Sequence, residues 1–109
     1  MSTYISSLAT IHPTAEIADE ARIDAGAVVG AHSVIREDAW LCEGVVVGEG
    51  ARVGASAWVH DRAVVGDGAQ IGPFCDIGEG AIIRGGSRVV WAANVPCPEF
   101  LQTITWGVR

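Results

Sequence analysis

Two sets of chemically useful side chains recur in this chain at one spacing. Asp24, Cys42 and His60 stand 18 residues apart, and so do Arg22, Trp40, Trp58 and Asp76. An imidazole titrates near neutrality, so it can take a proton and return it, which is the work of a general base. Asp61 follows His60 directly, and the carboxylates of Asp24 and Asp76 would lie below and above the coils of the tryptophans, Cys42 and His60. A thiol at Cys42 allows two readings, a thiol and imidazole pair for covalent catalysis or an incidental contact. Trp40 and Trp58 would form an apolar wall for a small acceptor, or anchors of a subunit interface. All of this requires a backbone that returns to one place every 18 residues.

Such a backbone is written along the chain. From Ile11 to Leu101 an aliphatic residue stands at every sixth position, and four places after each comes a mostly small residue, from Ala15 to Ala93, with the break at Glu99. A helix does not bring every sixth residue to one face, and an uninterrupted strand alternates by twos. A period of six therefore means short strands separated by regular turns, a parallel β-helix. The turns Gly48-Glu49-Gly50, Gly66-Asp67-Gly68 and Gly78-Glu79-Gly80 supply positive φ at tight corners. They are not phosphate loops, because no helix follows and an acid sits between the glycines.

The hexad, an aliphatic residue followed by a glycine or polar residue, two turn residues, a small residue and a variable one, resembles that of the hexapeptide-repeat acyltransferases, above all those acting on sugars and sugar nucleotides. Ile11-His12-Pro13-Thr14-Ala15 is similar to the opening of many of these enzymes. Ile71-Gly72-Pro73-Phe74-Cys75 resembles one of their turns, with Pro73 at the corner and Cys75 pointing inward. The segment from Gly86 to Pro96 resembles their last coil. The resemblance implies an all-β fold, a left-handed parallel β-helix in which three hexads close a triangular coil. This chain then forms a solenoid of about five coils whose stacked residues lie about 4.8 Å apart.

His60-Asp61-Arg62-Ala63-Val64-Val65-Gly66 resembles the stretch around the catalytic histidine of these enzymes, which deprotonates the attacking hydroxyl or amine. One departure is visible: the family histidine stands two places after the inward aliphatic, whereas His60 follows Val59 directly. The resemblance also implies acetyl-CoA or another acyl-CoA as co-substrate in a cleft between subunits. Arg84 and Arg88 would meet its phosphates in place of the family's lysine, and Trp91 would stack on the adenine or cap the core. The expected site is thus His60, Asp61 and Cys42 for chemistry, with Trp40, Trp58, Asp24 and Asp76 around the acceptor.

Sorting the outward residues by face separates three surfaces. One carries the column Val28, Val46, Val64, Ile82 and Phe100 beside Gly30, Gly48 and Gly66, a poor surface for water and a good one for a second subunit. A homotrimer is expected, as in the family. The second, with Glu16, Val34, Arg52, Gln70, Arg88 and Arg36, reads as solvated. The third holds the tryptophans and His60.

The 109 residues make one domain, with residues 1–10 as an N-terminal cap, 11–97 as coils and 98–109 as a C-terminal cap. The formal charge of -6, with no lysine, argues against nucleic acid and anionic membranes as partners. No apolar run reaches membrane-spanning length and no leader is evident, so a cytoplasmic protein is expected. Three irregularly spaced cysteines fit reduced thiols. The γ-class carbonic anhydrases of this fold hold zinc through a His-x4-His spacing that is absent here, so no metal is expected. Two functions follow: coenzyme A-dependent acyl transfer with His60 as base, or a β-helix without acyl transfer, either an assembly module or an enzyme using its tryptophan face for another small molecule.

Overall fold

The computed structural model describes residues 3–89 and the backbone of the strand Asn94–Val95. Among these residues every regular element is a two-residue strand, and the strands pair in parallel at a register of 18, as Trp58 with Trp40 and Val59 with Leu41. Successive strands join three sheets in rotation, one six-stranded and two five-stranded, which form the three sides of a solenoid of about five coils. The expected parallel β-helix is therefore present. Trp91, Phe100 and the expected C-terminal cap lie outside the described residues.

Each strand presents one residue outward and the next inward. The inward aliphatics Ile23, Ile35, Leu41, Val53, Val59 and Ile77 have no exposed surface, and the small column between them, including Ala39, Ala51, Ala57, Ala63 and Ala69, is equally closed. The small residue is required because it stands just before the next strand, where the triangular cross-section leaves no room for a larger side chain. Ser33 is the buried polar member of that column. Its one hydroxyl hydrogen is shared between the carbonyls of Gly30 at 2.7 Å and Gly48 at 3.0 Å, so burial leaves no orphaned group.

A positive φ recurs at every sixth residue from Glu20 to Gly86, three places after each inward aliphatic. At the His60 corner the N–H of Ala63 donates to the His60 carbonyl at 3.3 Å, and Arg62, the third residue of the turn, has φ 60. That is the pattern of a type II turn. Half of these corners carry side chains and not glycine: Glu20, His32, Asp38, Ser56, Arg62 and Phe74. An L-residue held there gives up about 1 kcal/mol. Ser56 makes no side-chain hydrogen bond among the described residues. Ser56→Gly is therefore expected to stabilise the fold by about 0.5 kcal/mol, the relief of strain exceeding the extra entropy of the unfolded chain. Thermal unfolding would check this, and a lower midpoint would refute it.

The two glycines of a Gly-x-Gly turn do different work. Gly68 supplies positive φ, whereas a Cβ on Gly66 would come within 2.5 Å of the Gly85 nitrogen. The close approach that Gly48 and Gly66 permit is thus to the next coil of the same chain. The repeat also begins one hexad earlier than the sequence pattern suggests. Tyr4–Ile5 forms a strand paired with Arg22–Ile23, so Tyr4 enters the stack of the tryptophan face.

Candidate functional site

The sheet built from Tyr4–Ile5, Arg22–Ile23, Trp40–Leu41, Trp58–Val59, Asp76–Ile77 and Asn94–Val95 carries a continuous ladder of rings and charges on its outer side. The Arg22 guanidinium lies between the Tyr4 ring at 5.5 Å and the Trp40 ring at 4.7 Å. Trp40 and Trp58 stack at 4.8 Å with 3° between their planes, a direct result of the parallel register. Trp58 then stacks on the imidazole of His60 at 4.5 Å. Stacked rings and a sandwiched cation are attractive through quadrupole and cation–π terms, each about 0.5–1.5 kcal/mol.

Three hydrogen bonds run diagonally across the ladder, each spanning 16 residues. The Trp40 Nε1–H donates to Asp24 Oδ2 at 2.9 Å, the Trp58 Nε1–H donates to Cys42 Sγ at 3.1 Å, and His60 Nε2 meets Asp76 Oδ1 at 2.7 Å. In the last pair Nε2 carries the hydrogen, since a carboxylate oxygen accepts, and in the neutral form of the ring Nδ1 is then the acceptor. His60 is the first residue beyond its strand, and its backbone N–H still donates to Ile77 across the coils at 2.9 Å. The His60 side chain is 31% exposed and that of Asp76 48%, so solutes reach both.

The carboxylate that touches His60 is therefore Asp76, from the next coil. Among the described residues no hydrogen bond or ion pair joins His60 to the side chain of Asp61. Cys42 is 7% exposed and accepts the Trp58 Nε1–H, and burial pushes its thiol above the ordinary value, only partly offset by that N–H. A thiol so placed stays protonated at neutral pH and supports the indole. Asp24 is likewise committed, holding Trp40 and accepting from Arg22 Nε at 3.1 Å.

The other two histidines stand apart. His12 Nδ1 accepts from the Thr14 backbone N–H at 3.1 Å, and His32 occupies a positive-φ corner. Cys75 is buried in the core, as its inward position requires. Among the described residues no group of three or more His, Cys, Asp or Glu side chains is placed to hold a metal ion, and no helix is long and apolar enough to cross a membrane. Arg84 and Arg88 are exposed on either side of one corner, Arg84 next to the apolar sheet and Arg88 on the arginine sheet. Sequence reasoning missed Tyr4 and the role of Arg22 between two rings. Ile5, six places before Ile11, was the available signal.

Comparison with known proteins adds a family and a fold. The model of the family described as GMPPB C-terminal domain matches residues 5–95. The acetyltransferase domain of PglB from Neisseria gonorrhoeae superposes with a TM-score of 0.86 at 25% identity, over 87% of this chain and 46% of that one. A variant of perosamine N-acetyltransferase from Caulobacter crescentus, solved with CoA and GDP-perosamine, shares the fold with a TM-score of 0.55 at 22% identity, over 90% of this chain and 51% of that one. The chain thus spans about half the length of these solved proteins. No curated protein matches it.

Proposed function

The chain belongs to the GMPPB C-terminal domain family, and from that premise we propose that it transfers an acyl group, an acetyl above all, from coenzyme A to a hydroxyl or amine of a sugar-like acceptor. The observation that carries this reading is the His60–Asp76 pair at 2.7 Å beside a stacked indole. Asp76 fixes the ring with Nδ1 unprotonated, and Trp58 holds its plane. Nδ1 takes the proton of the acceptor as its oxygen or nitrogen attacks the thioester carbonyl. The tetrahedral intermediate then collapses, the carbon–sulfur bond breaks, and the imidazolium returns the proton to the leaving thiolate. The likeness to the PglB acetyltransferase domain supports the same class of reaction. Trp40 and Trp58 form the wall against which the acceptor lies, while Arg84 and Arg88 are exposed cations available to the phosphates of the donor. Cys42 and Cys75 stand as thiols and not as a disulfide, in keeping with a cytoplasmic setting.

The working form is a homotrimer joined through the column Val28, Val46, Val64 and Ile82. Val28, Val46 and Ile82 are 40%, 39% and 46% exposed, a contiguous apolar stripe of the kind that marks interfaces. Val46→Asp leaves the core untouched and is expected to convert the trimer to monomer at micromolar concentration. Sedimentation velocity reads this directly, and an unchanged mass would exclude the stripe as the interface.

A second reading is favoured by one observation. Both indole N–H groups are satisfied within the chain, and so is the hydrogen-bearing nitrogen of His60, as in a ladder built for rigidity. The chain is then an assembly module. Incubation with acetyl-CoA and a panel of amino- and hydroxy-sugar nucleotides separates the two: thiol release and an acetylated acceptor support transfer, and their absence across the panel favours the module.

A further inference from the structure

We propose that the arginine sheet binds a diphosphate group, held by the row Arg52, Gln70 and Arg88 along a groove of about 560 Å3. The strands Glu16–Ile17, Val34–Ile35, Arg52–Val53, Gln70–Ile71 and Arg88–Val89 stack in this sheet, so the first residue of each forms one outward column. The column beside it runs Ala18 and Arg36 and then has no side chain at Gly54 and Gly72. Gly54 cannot be otherwise, since a Cβ there would lie 2.5 Å from the Gly72 carbonyl carbon and the Pro73 nitrogen. Two bare positions next to long side chains make a trough. Its volume falls in the range of about 300–1,000 Å3 usual for small-molecule sites.

The trough is lined on one side by donors. Arg52 is exposed and, among the described residues, has no hydrogen-bonded or ionic partner. Arg88 Nε donates to Gln70 Oε1 at 3.4 Å, and among the described residues neither the Gln70 amide nitrogen nor the Arg88 terminal nitrogens have a further partner. At about 4.8 Å per coil the row is about 10 Å long. Two guanidinium forks and an amide over that length suit two linked phosphates, because each phosphate presents several acceptor oxygens and guanidinium pairs with them bidentately. A lone carboxylate would engage one arginine and leave the other unused. The acids are placed to direct the ligand: Glu16 stands at the far end of the column, two coils before Arg52, and Glu37 engages Arg36 at 3.7 Å. With a net charge of -6 on the chain, an extended polyanion is repelled by the remaining surface while a compact diphosphate is not.

Diphosphates occur in coenzyme A and in sugar nucleotides; Arg88 is also one of the cations available to the donor's phosphates, so coenzyme A is one candidate source, while the proton-transfer chemistry itself is read on the tryptophan sheet. The test is calorimetric titration of the full chain with inorganic pyrophosphate at physiological ionic strength. Saturable binding is expected, at least about tenfold tighter than for orthophosphate. Arg52→Gln and Arg88→Gln should each weaken it about tenfold or more, Arg52→Lys should retain part of it because the charge remains without the fork, and His60→Ala should not change it. Both arginines are exposed, so unaltered circular dichroism should accompany the loss. Absence of saturable binding, equal affinity for orthophosphate, or binding unchanged in the double variant Arg52→Gln/Arg88→Gln would overturn the proposal. Displacement of pyrophosphate by CoA or by a nucleoside diphosphate sugar, dependent on Arg52, identifies the source. Pyrophosphate binding without acyl transfer would leave the groove standing and remove only the enzyme, and transfer without pyrophosphate binding would do the reverse.

Discussion

Replacing His60 with alanine is expected to lower kcat for acyl transfer by about 10²–10⁴-fold, the usual contribution of a positioned general base, while KM for acetyl-CoA stays within about twofold. The split follows from the geometry. His60 lies in the ladder of rings, whereas the exposed cations available to the donor lie at and beyond the next corners, so the substitution removes the proton acceptor and leaves binding in place. Asp76→Asn should act through His60. An amide is able to donate to Nε2, which favours the tautomer with the hydrogen on Nδ1 and closes the lone pair to the acceptor. A fall in kcat of about tenfold or more with KM unchanged is expected, and Asp76→Glu should recover part of it. Asp61→Asn should change kcat little, since the carboxylate bonded to the imidazole is that of Asp76. Equal rates for wild type and His60→Ala would remove His60 from the chemistry.

Leu41→Ala should cost about 2–5 kcal/mol, the largest stability change expected of a single substitution here. Leu41 has no exposed surface and stacks between Ile23 and Val59 in the six-stranded sheet. Each coil contacts only its two neighbours, so a cavity at Leu41 weakens two coil interfaces at once and nothing further along can compensate. Against a total stability of about 5–15 kcal/mol this is a large share. Denaturant unfolding should show the shift together with a loss of cooperativity, as the coils on either side of the defect come apart. A cost below about 1 kcal/mol would mean that the coils collapse onto the gap.

The solenoid was legible because one cross-section repeats. Every inward position must fit the same triangle, so the aliphatic and small columns carry the fold in plain form. Tyr4 and Ile5 escaped because the motif at Ile11 looks like a beginning, although Ile5 and Ala9 already satisfy the hexad. The tryptophan stack was equally legible, since parallel register places residues 18 apart one above the other. The His60–Asp76 bond was not. Columns alone set Asp76 above Trp58 and Gly78 above His60, and the contact is diagonal. It depends on the imidazole leaning across to the column of Asp76. The groove of the arginine sheet was hidden for a similar reason. Arg52 and Arg88 look like solvated charges one at a time, and the trough beside them is made by the bare Gly54 and Gly72.

The acyl-transfer reading stands or falls first on the donor. Calorimetric titration of the wild-type chain with acetyl-CoA is the measurement that addresses it. Saturable micromolar binding near one molecule per chain, retained in His60→Ala, is the predicted result. No heat at any donor concentration up to millimolar would contradict it and leave the chain as an assembly module.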